Sequence, residues 1–452
     1  MKRSFQRGAA LALALLLCIL SSGCTGFKLS SIDELYSLPR LPEEYQDLEA
    51  HINAILESGA EYAAPQSGSN IQPVQLVDLD GDGQEEALAF LRKATDEKPL
   101  KIYIFGVEDG SYQQIGLIEG SGTSIFSVVY SDINNNGDNE LLVGWKVASE
   151  MQILCVYSFD GEPVELMRTN YVKYALRDLD GDGMQELVAL RADNEGTGIA
   201  DLFVWQQETL ALRSSAALSV TMAELNNLGR ITAGALQGGE RALFVVGVAD
   251  SSMEITDILT MRQGELSNIV LSNITGATSV IARYLSLYPA DINGDGVTEV
   301  PMPVMLSSPE GSDEYHFRVE WCSYDIHGGA TVAQSTYHDI EDGWYLTLPA
   351  SWTGRVSVSR STSAADEAAV TFYIRDGSSD GYEEFLKIYT ITGNNREVKA
   401  VRDSRIVLNR QAETIYSARL LEANSTWEYG LTEDELRAGF SLITTEWAAG
   451  DN

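Results

Sequence analysis

One nine-residue phrase, Asp-x-[Asp/Asn]-x-[Asp/Asn]-x-x-x-Glu, occurs four times in this chain: Asp78–Glu86 (DLDGDGQEE), Asp132–Glu140 (DINNNGDNE), Asp178–Glu186 (DLDGDGMQE) and Asp291–Glu299 (DINGDGVTE). Each copy sets oxygen-bearing side chains at positions 1, 3, 5 and 9 and a Gly at position 6. Alternate residues of such a tight loop point inward, and Gly supplies the backbone conformation that the turn needs. Hard cations such as calcium take six to eight oxygen ligands from loops of this kind. A single copy reads as an acidic turn. Four copies with the same closing Glu point to calcium, at about four sites with a structural role.

The flanks separate these loops from an EF-hand, which closes with Glu at position 12 and lies between helices. Here apolar, strand-like runs follow the closing Glu, as in ALAFL after Glu86, LLVGW after Glu140 and LVAL after Glu186. A second such run precedes each loop, so each loop joins two strands. The motif starts lie 54, 46 and 113 residues apart, and the last gap spans two periods. An eroded copy stands at its midpoint, GALQGGERALFVVG, where Ala235, Gln237 and Gly239 replace the first three ligands. Between loops, each repeat carries a further hairpin, such as MQILCVYSFDGEPVELM, with polar or Gly-containing turns between β-branched and aromatic runs. Four strands in a repeat of about 50 residues describe a propeller blade.

The repeats over roughly residues 70–340 resemble the FG-GAP/VCBS class of β-propeller repeats, the class found in integrin α subunits. That resemblance implies a mainly β fold of about five four-stranded blades with calcium loops between them. It implies ligands at Asp78, Asp80, Asp82 and Glu86 with the backbone of Gln84, and at Asp132, Asn134, Asn136 and Glu140 with the backbone of Asp138. The third set is Asp178, Asp180, Asp182 and Glu186 with Met184, and the fourth is Asp291, Asn293, Asp295 and Glu299 with Val297. Counted this way, each blade ends in the strand before the next loop, and the last, Val300 to about Ile340, has three clear strands. The run Pro73–Val77 is expected to close the ring as that blade's outer strand. Ligand charge ranks the second site weakest, with sites one and three filling first, then four.

The chain opens with Lys2, Arg3 and Arg7 before an apolar run, Ala9–Leu20, which reads as a signal peptide over 1–23. The following LSSGC resembles a bacterial lipobox, which implies lipidation of Cys24 and anchoring at the outer face of the cell membrane. Ser21 and Gly23 also fit ordinary signal-peptidase cleavage, which gives a secreted protein. Lys and Arg number 31 against 66 Asp and Glu, a net charge of -35. Nucleic acid and bare anionic lipid are therefore disfavoured as partners. Cys155 and Cys322 fall in repeats that are not neighbours, so two buried free thiols are expected.

A tether over 24–42 leads into a helix within 43–70, whose Tyr45, Leu48, Ile52, Ile55 and Leu56 share one face and which Gly59 stops. From 341 to 452 a small α+β domain is expected, ending in a helix capped by Thr432 and Glu435 with Leu436, Phe440, Ile443 and Trp447 on one face. Asp376, Ser378, Asp380, Gly381 and Glu384 repeat the ligand spacing there, read either as a further cation loop or as an acidic hairpin turn. His316, His327 and His338 are expected as exposed strand and turn residues. No HExxH, Gly-x-Ser-x-Gly, Cys-x-x-Cys or P-loop signature occurs, so no catalytic residues are assigned. The function expected is a binding or scaffold module for an envelope or extracellular glycan or protein. An accessory or catalytic subunit of polysaccharide processing and an extracytoplasmic calcium or stress sensor are the alternatives.

Overall fold

The computed structural model describes residues 45–148, 151–249, 252–272, 274–307, 315–364, 366–375 and 381–443. The leader, Cys24, the tether, Trp447 and the stretch 376–380 lie outside the described residues. The chain divides into two compact units. Among the described residues, one comprises those up to Ser58 with Val107–Gln113, and the other Gly59–Gly106 with those from Gln114 onward. In the first, helix α1 (Gln46–Glu57) buries Leu48 and Ile52, and the Tyr45 ring stacks on Tyr112 at 6.1 Å. Gly59, with φ +95, ends the helix in a conformation that disfavours a side chain.

The fold is mainly β, in six antiparallel sheets. The first holds β1 (Glu61–Tyr62), β2 (Val74–Val77), β3 (Glu86–Arg92), β4 (Leu100–Glu108) and β5 (Ser111–Gly120). The second is β6 (Ser124–Ser131), β7 (Glu140–Lys146), β8 (Gln152–Asp160) and β9 (Glu162–Tyr171), in that order. The third is β10 (Lys173–Arg177), β11 (Glu186–Ala192), β12 (Gly198–Gln206) and β13 (Thr209–Ala217). After a short helix α2 (Met222–Leu228), the fourth holds β14 (Arg230–Ala235), β15 (Arg241–Ala249), β16 (Met253–Arg262), β17 (Glu265–Asn268) and β18 (Ile281–Arg283). The fifth begins with β19 (Val300–Met305), β20 (Phe317–Tyr324), β21 (Ala330–Asp339) and β22 (Trp344–Thr347). The sixth is β23 (Val356–Ala364), β24 (Glu367–Arg375), β25 (Tyr382–Ile391), β26 (Ile406–Arg410) and β27 (Ile415–Leu420).

Five apolar clusters join these sheets pairwise in chain order, first to second through to fifth to sixth. The strand after each loop sends alternate side chains to opposite faces, as pleating requires. In β7, Leu141 and Val143 pack toward the first sheet while Leu142 packs toward the third. In β15, Leu243 and Val245 face the third sheet while Ala242 and Phe244 face the fifth. Both faces are buried, which is why LLVGW and ALFVVGV read as unbroken apolar runs rather than as alternating ones.

Four expectations are corrected. The first three ligand loops each lie inside a sheet, because the strand before the loop pairs with the strand after it: β2 with β3, β6 with β7 and β10 with β11. Those three loops are therefore not inter-blade connections, whereas the fourth leads from β18 of the fourth sheet to β19 of the fifth, with the bridge Ala290–Glu299 across it. For the same reason β2 does not complete the last repeat, since Gln75 and Val77 pair with Leu88 and Glu86 in the first sheet. The fifth sheet is extended instead by β22 and by β28 (Phe440–Leu442), which returns from the C-terminal end to pair with β22. A boundary at 340–341 thus runs through a sheet. The capping box at Thr432 and Glu435 is present, but its helix ends at Gly439, so Phe440 belongs to a strand.

The thiols Cys155 and Cys322 are free and buried. No helix among the described residues is long and apolar enough to cross a membrane.

Candidate metal centre

The four loops share one hydrogen-bond scheme. The first Asp (78, 132, 178 or 291) accepts, on Oδ2, the N–H of the Gly at position 6, at 3.0, 2.9, 3.1 and 2.8 Å. The third position (Asp80, Asn134, Asp180 or Asn293) accepts the N–H of position 5 on Oδ1. The fifth (Asp82, Asn136, Asp182 or Asp295) accepts the N–H of position 7, which is Gln84, Asp138, Met184 or Val297. The closing Glu reaches back with Oε2 to the N–H of position 2, at 2.8, 2.8, 2.6 and 3.1 Å for Leu79, Ile133, Leu179 and Ile292. Several of the second atoms are engaged within the loops as well: Asp132, Asp178 and Asp291 accept further backbone N–H groups on Oδ1, and the amides of Asn134, Asn136 and Asn293 donate to Glu140, Asp138 and Asp295.

Position 2 is apolar in every copy, and Leu79, Ile133, Leu179 and Ile292 are buried in the cores beneath the loops. They draw the closing Glu down with them. Glu86, Glu140, Glu186 and Glu299 are 6, 2, 4 and 0% exposed, in loops that are otherwise largely open to solvent. Burial raises the proton affinity of all four carboxyls, and the neighbouring loop carboxylates add to the rise; Glu186 is pushed up to about 7.

In the first and third loops three carboxylates converge. One oxygen each from Asp78, Asp80 and Glu86 lies within 4.8 Å of the others, as do those of Asp178, Asp180 and Glu186. Asp82 and Asp182 stand outside these triads. Asp78 Oδ1 and Glu299 Oε1 are buried with no hydrogen-bond partner. In the second loop the amide of Asn134 donates to Glu140 Oε1 at 3.1 Å, so that carboxylate is satisfied from within. The third loop has an outside contact, because Arg241 of the eroded copy places its guanidinium 2.5 Å from Asp178 Oδ2.

Sequence reading missed a second layer, a link from each loop to the one before it. Asn139 donates through N–H to Leu79 O and through its amide to Asp78 O, at 2.7 and 2.8 Å. Gln185 does the same to Ile133 O and Asp132 O. Arg241 donates to Asp178 O, and Thr298 N–H to Ala235 O. The approach is close: a side chain on Gly81 (φ +68) would meet Gly137 O at 2.6 Å. The only sequence signal was a polar residue at position 8, which is unremarkable one copy at a time.

The eroded copy keeps the hairpin. It closes with Leu236 N–H to Glu240 O and Gly239 N–H to Leu236 O, using backbone groups where the others use carboxylates. Of the 376–384 spacing, Glu384 is described and pairs with Lys387 at 2.7 Å. Two of the histidines expected at the surface are buried instead. His316 meets the Tyr337 hydroxyl at 3.2 Å, and His338 meets Thr336 Oγ1 at 2.8 Å while stacked on Tyr345. His338 falls in the half of β21, Thr336–Asp339, that is buried, whereas Ala330–Ala333 at its other end are exposed; His316 stands just before β20.

No protein-family model and no curated protein matches the chain. Among solved structures, it is similar to a hypothetical protein from Leishmania major at 12% identity, over 62% of this chain and 91% of that one, with a TM-score of 0.21.

Proposed function

We propose that this chain is a calcium-stabilised binding module of the FG-GAP/VCBS propeller type, held at the outer face of the cell membrane through Cys24. The observation that carries the reading is the buried closing Glu, repeated in all four loops and met in the first and third by two converging carboxylates. A buried carboxyl with a raised proton affinity, or with an orphaned oxygen such as Glu299 Oε1, is costly unless a cation or a proton meets it. Asp78, Asp80, Asp82 and Glu86 would hold the first ion, and the corresponding residues would hold the other three. A bound calcium would supply positive charge to the converging carboxylates and so stiffen the linked row of loops. Sheets that each pack on the next in chain order support a propeller-type arrangement. The leader and net charge support an extracytoplasmic location and an envelope glycan or protein as ligand.

Thermal unfolding of the mature chain tests this. Melting in chelator should fall well below melting in millimolar calcium, because an ion that binds only the native state stabilises it by linkage. Identical melting in both would overturn the reading. The loops should also differ among themselves. Arg241→Gln frees Asp178 from a competing cation, and calcium affinity at the third loop should tighten about fivefold in calorimetry, the size of a partly exposed ion pair. Unchanged affinity would show that Arg241 and the ion do not compete.

A further inference from the structure

In the second and third loops, the residue just before the closing Glu holds the loop before it. Asn139 gives its N–H to Leu79 O and its amide to Asp78 O, at 2.7 and 2.8 Å. Gln185 gives its N–H to Ile133 O and its amide to Asp132 O, at 2.8 and 3.1 Å, and the amide also reaches Ser131 Oγ at 2.9 Å. The peptides held in this way belong to the ligand set. Position 1 carries the first Asp, and the N–H of position 2 is already on the closing Glu of its own loop, Leu79 on Glu86 and Ile133 on Glu140. One path of hydrogen bonds and peptide neighbours thus runs from Glu86 through Asn139 and Glu140 to Gln185 and Glu186. Asp78 shows what the hold does. Its carbonyl is fixed by Asn139 and its Oδ2 by the Gly83 N–H at 3.0 Å, while its Oδ1 is buried with no hydrogen-bond partner. The path does not reach the fourth loop. There Thr298, just before Glu299, gives its N–H to Ala235 O at 2.9 Å, and Ala235 has no side-chain oxygen to offer an ion.

We propose that the first three loops bind calcium as a coupled set, with Asn139 and Gln185 as positioning residues, whereas the fourth loop binds alone. The inference rests on the calcium reading above and adds how the sites influence one another. When Asp132 and Glu140 close on an ion, Asn139, which adjoins Glu140, is fixed as well. Asp78 is then set with less loss of backbone freedom when the first loop fills. By linkage, a filled first loop favours the second by the same factor. Gln185 joins the second and third loops in the same way. The second loop gains most, because it has a neighbour on either side. It still fills last, because it has the fewest carboxylates.

The test is a calcium titration of the mature chain followed by native mass spectrometry. The quantity read is the calcium concentration at which the last ion, that of the second loop, is half bound. Glu86→Gln empties the first loop, and the last ion should then need about fivefold more calcium, the low end of measured couplings between sites. Glu299→Gln empties the fourth loop and should leave that concentration at its wild-type value. In an Asn139→Ala background, Glu86→Gln should no longer shift it. A merely structural role for Asn139 would lower the melting temperature and keep the fivefold shift. Where Asn139→Ala does not fold, the contrast between the two Glu variants decides. Equal responses to Glu86→Gln and Glu299→Gln would overturn the coupling and leave the calcium reading standing. A fivefold shift that persists without the Asn139 side chain would overturn the part assigned to that residue. No calcium uptake at all would overturn the calcium reading and the coupling with it.

Discussion

In chelator, Glu186→Gln should raise the stability of the folded protein at pH 8 by roughly 2–3 kcal/mol, whereas in millimolar calcium the same substitution should lower it. Burial, with help from Asp180 and Asp182, pushes the Glu186 carboxyl up to about 7 from an ordinary value of 4.5. Between those values the unfolded chain has released this proton and the folded chain has kept it. Folded stability therefore falls as pH rises through the window, and above it the buried charge is carried at full cost. Gln keeps the oxygen that accepts the Leu179 N–H at 2.6 Å but carries no charge. Glu86, Glu140 and Glu299 shift in the same direction, and so does Glu254, a buried carboxyl pushed up to about 8. His338 acts with the opposite sign: burial holds it down to about 3, so it costs stability only as pH falls below about 6.5. Urea unfolding at pH 6.5 and pH 8 isolates the carboxyls. Chelated wild type should be less stable at pH 8, and calcium should remove or reverse that trend because it binds the ionised form. Equal stability at both pH values, with a neutral effect of Glu186→Gln, would contradict the argument.

Trp344→Ala should cost about 3–5 kcal/mol, the range for emptying a large aromatic side chain from a packed core. Trp344 is fully buried in the cluster that joins the fifth and sixth sheets, with ring centroids 5.9 Å from Tyr337 and 5.7 Å from Phe440. Tyr337, Trp344 and Phe440 come from β21, β22 and β28, so one cavity loosens three strands and both sheets. The drop should appear as a lower urea midpoint for the main transition in chelator and in calcium alike. A loss confined to a minor early transition would mean that the sixth sheet unfolds independently of the fifth.

The loops were legible because their constraint is chemical and local. Asp, Asn, Gly and Glu at fixed spacing leave few ways to arrange a turn, and the structure repeats one arrangement four times. The eroded copy was legible for a related reason: the apolar runs at Arg230–Ala235 and Arg241–Ala249 survive without the ligands. Which strands pair was not legible. An apolar run buried on both faces, such as Leu141–Trp145, carries no period that says which neighbour it bonds to. The hairpin across each of the first three loops follows from the turn itself, because antiparallel neighbours need only a short connection. The partnership of β28 with β22 depends on contacts across about a hundred residues and left no mark in either segment.

The central claim is that four loops hold calcium, and native mass spectrometry of the mature chain counts the ions directly. Titration should end at four calcium ions. The first and third loops should fill before the fourth, and the fourth before the second, where Asn134 already satisfies Glu140. Glu86→Gln and Glu186→Gln should each remove one ion from the tight class. A chain that carries no calcium at millimolar concentration, or whose ion count ignores both substitutions, would contradict the account.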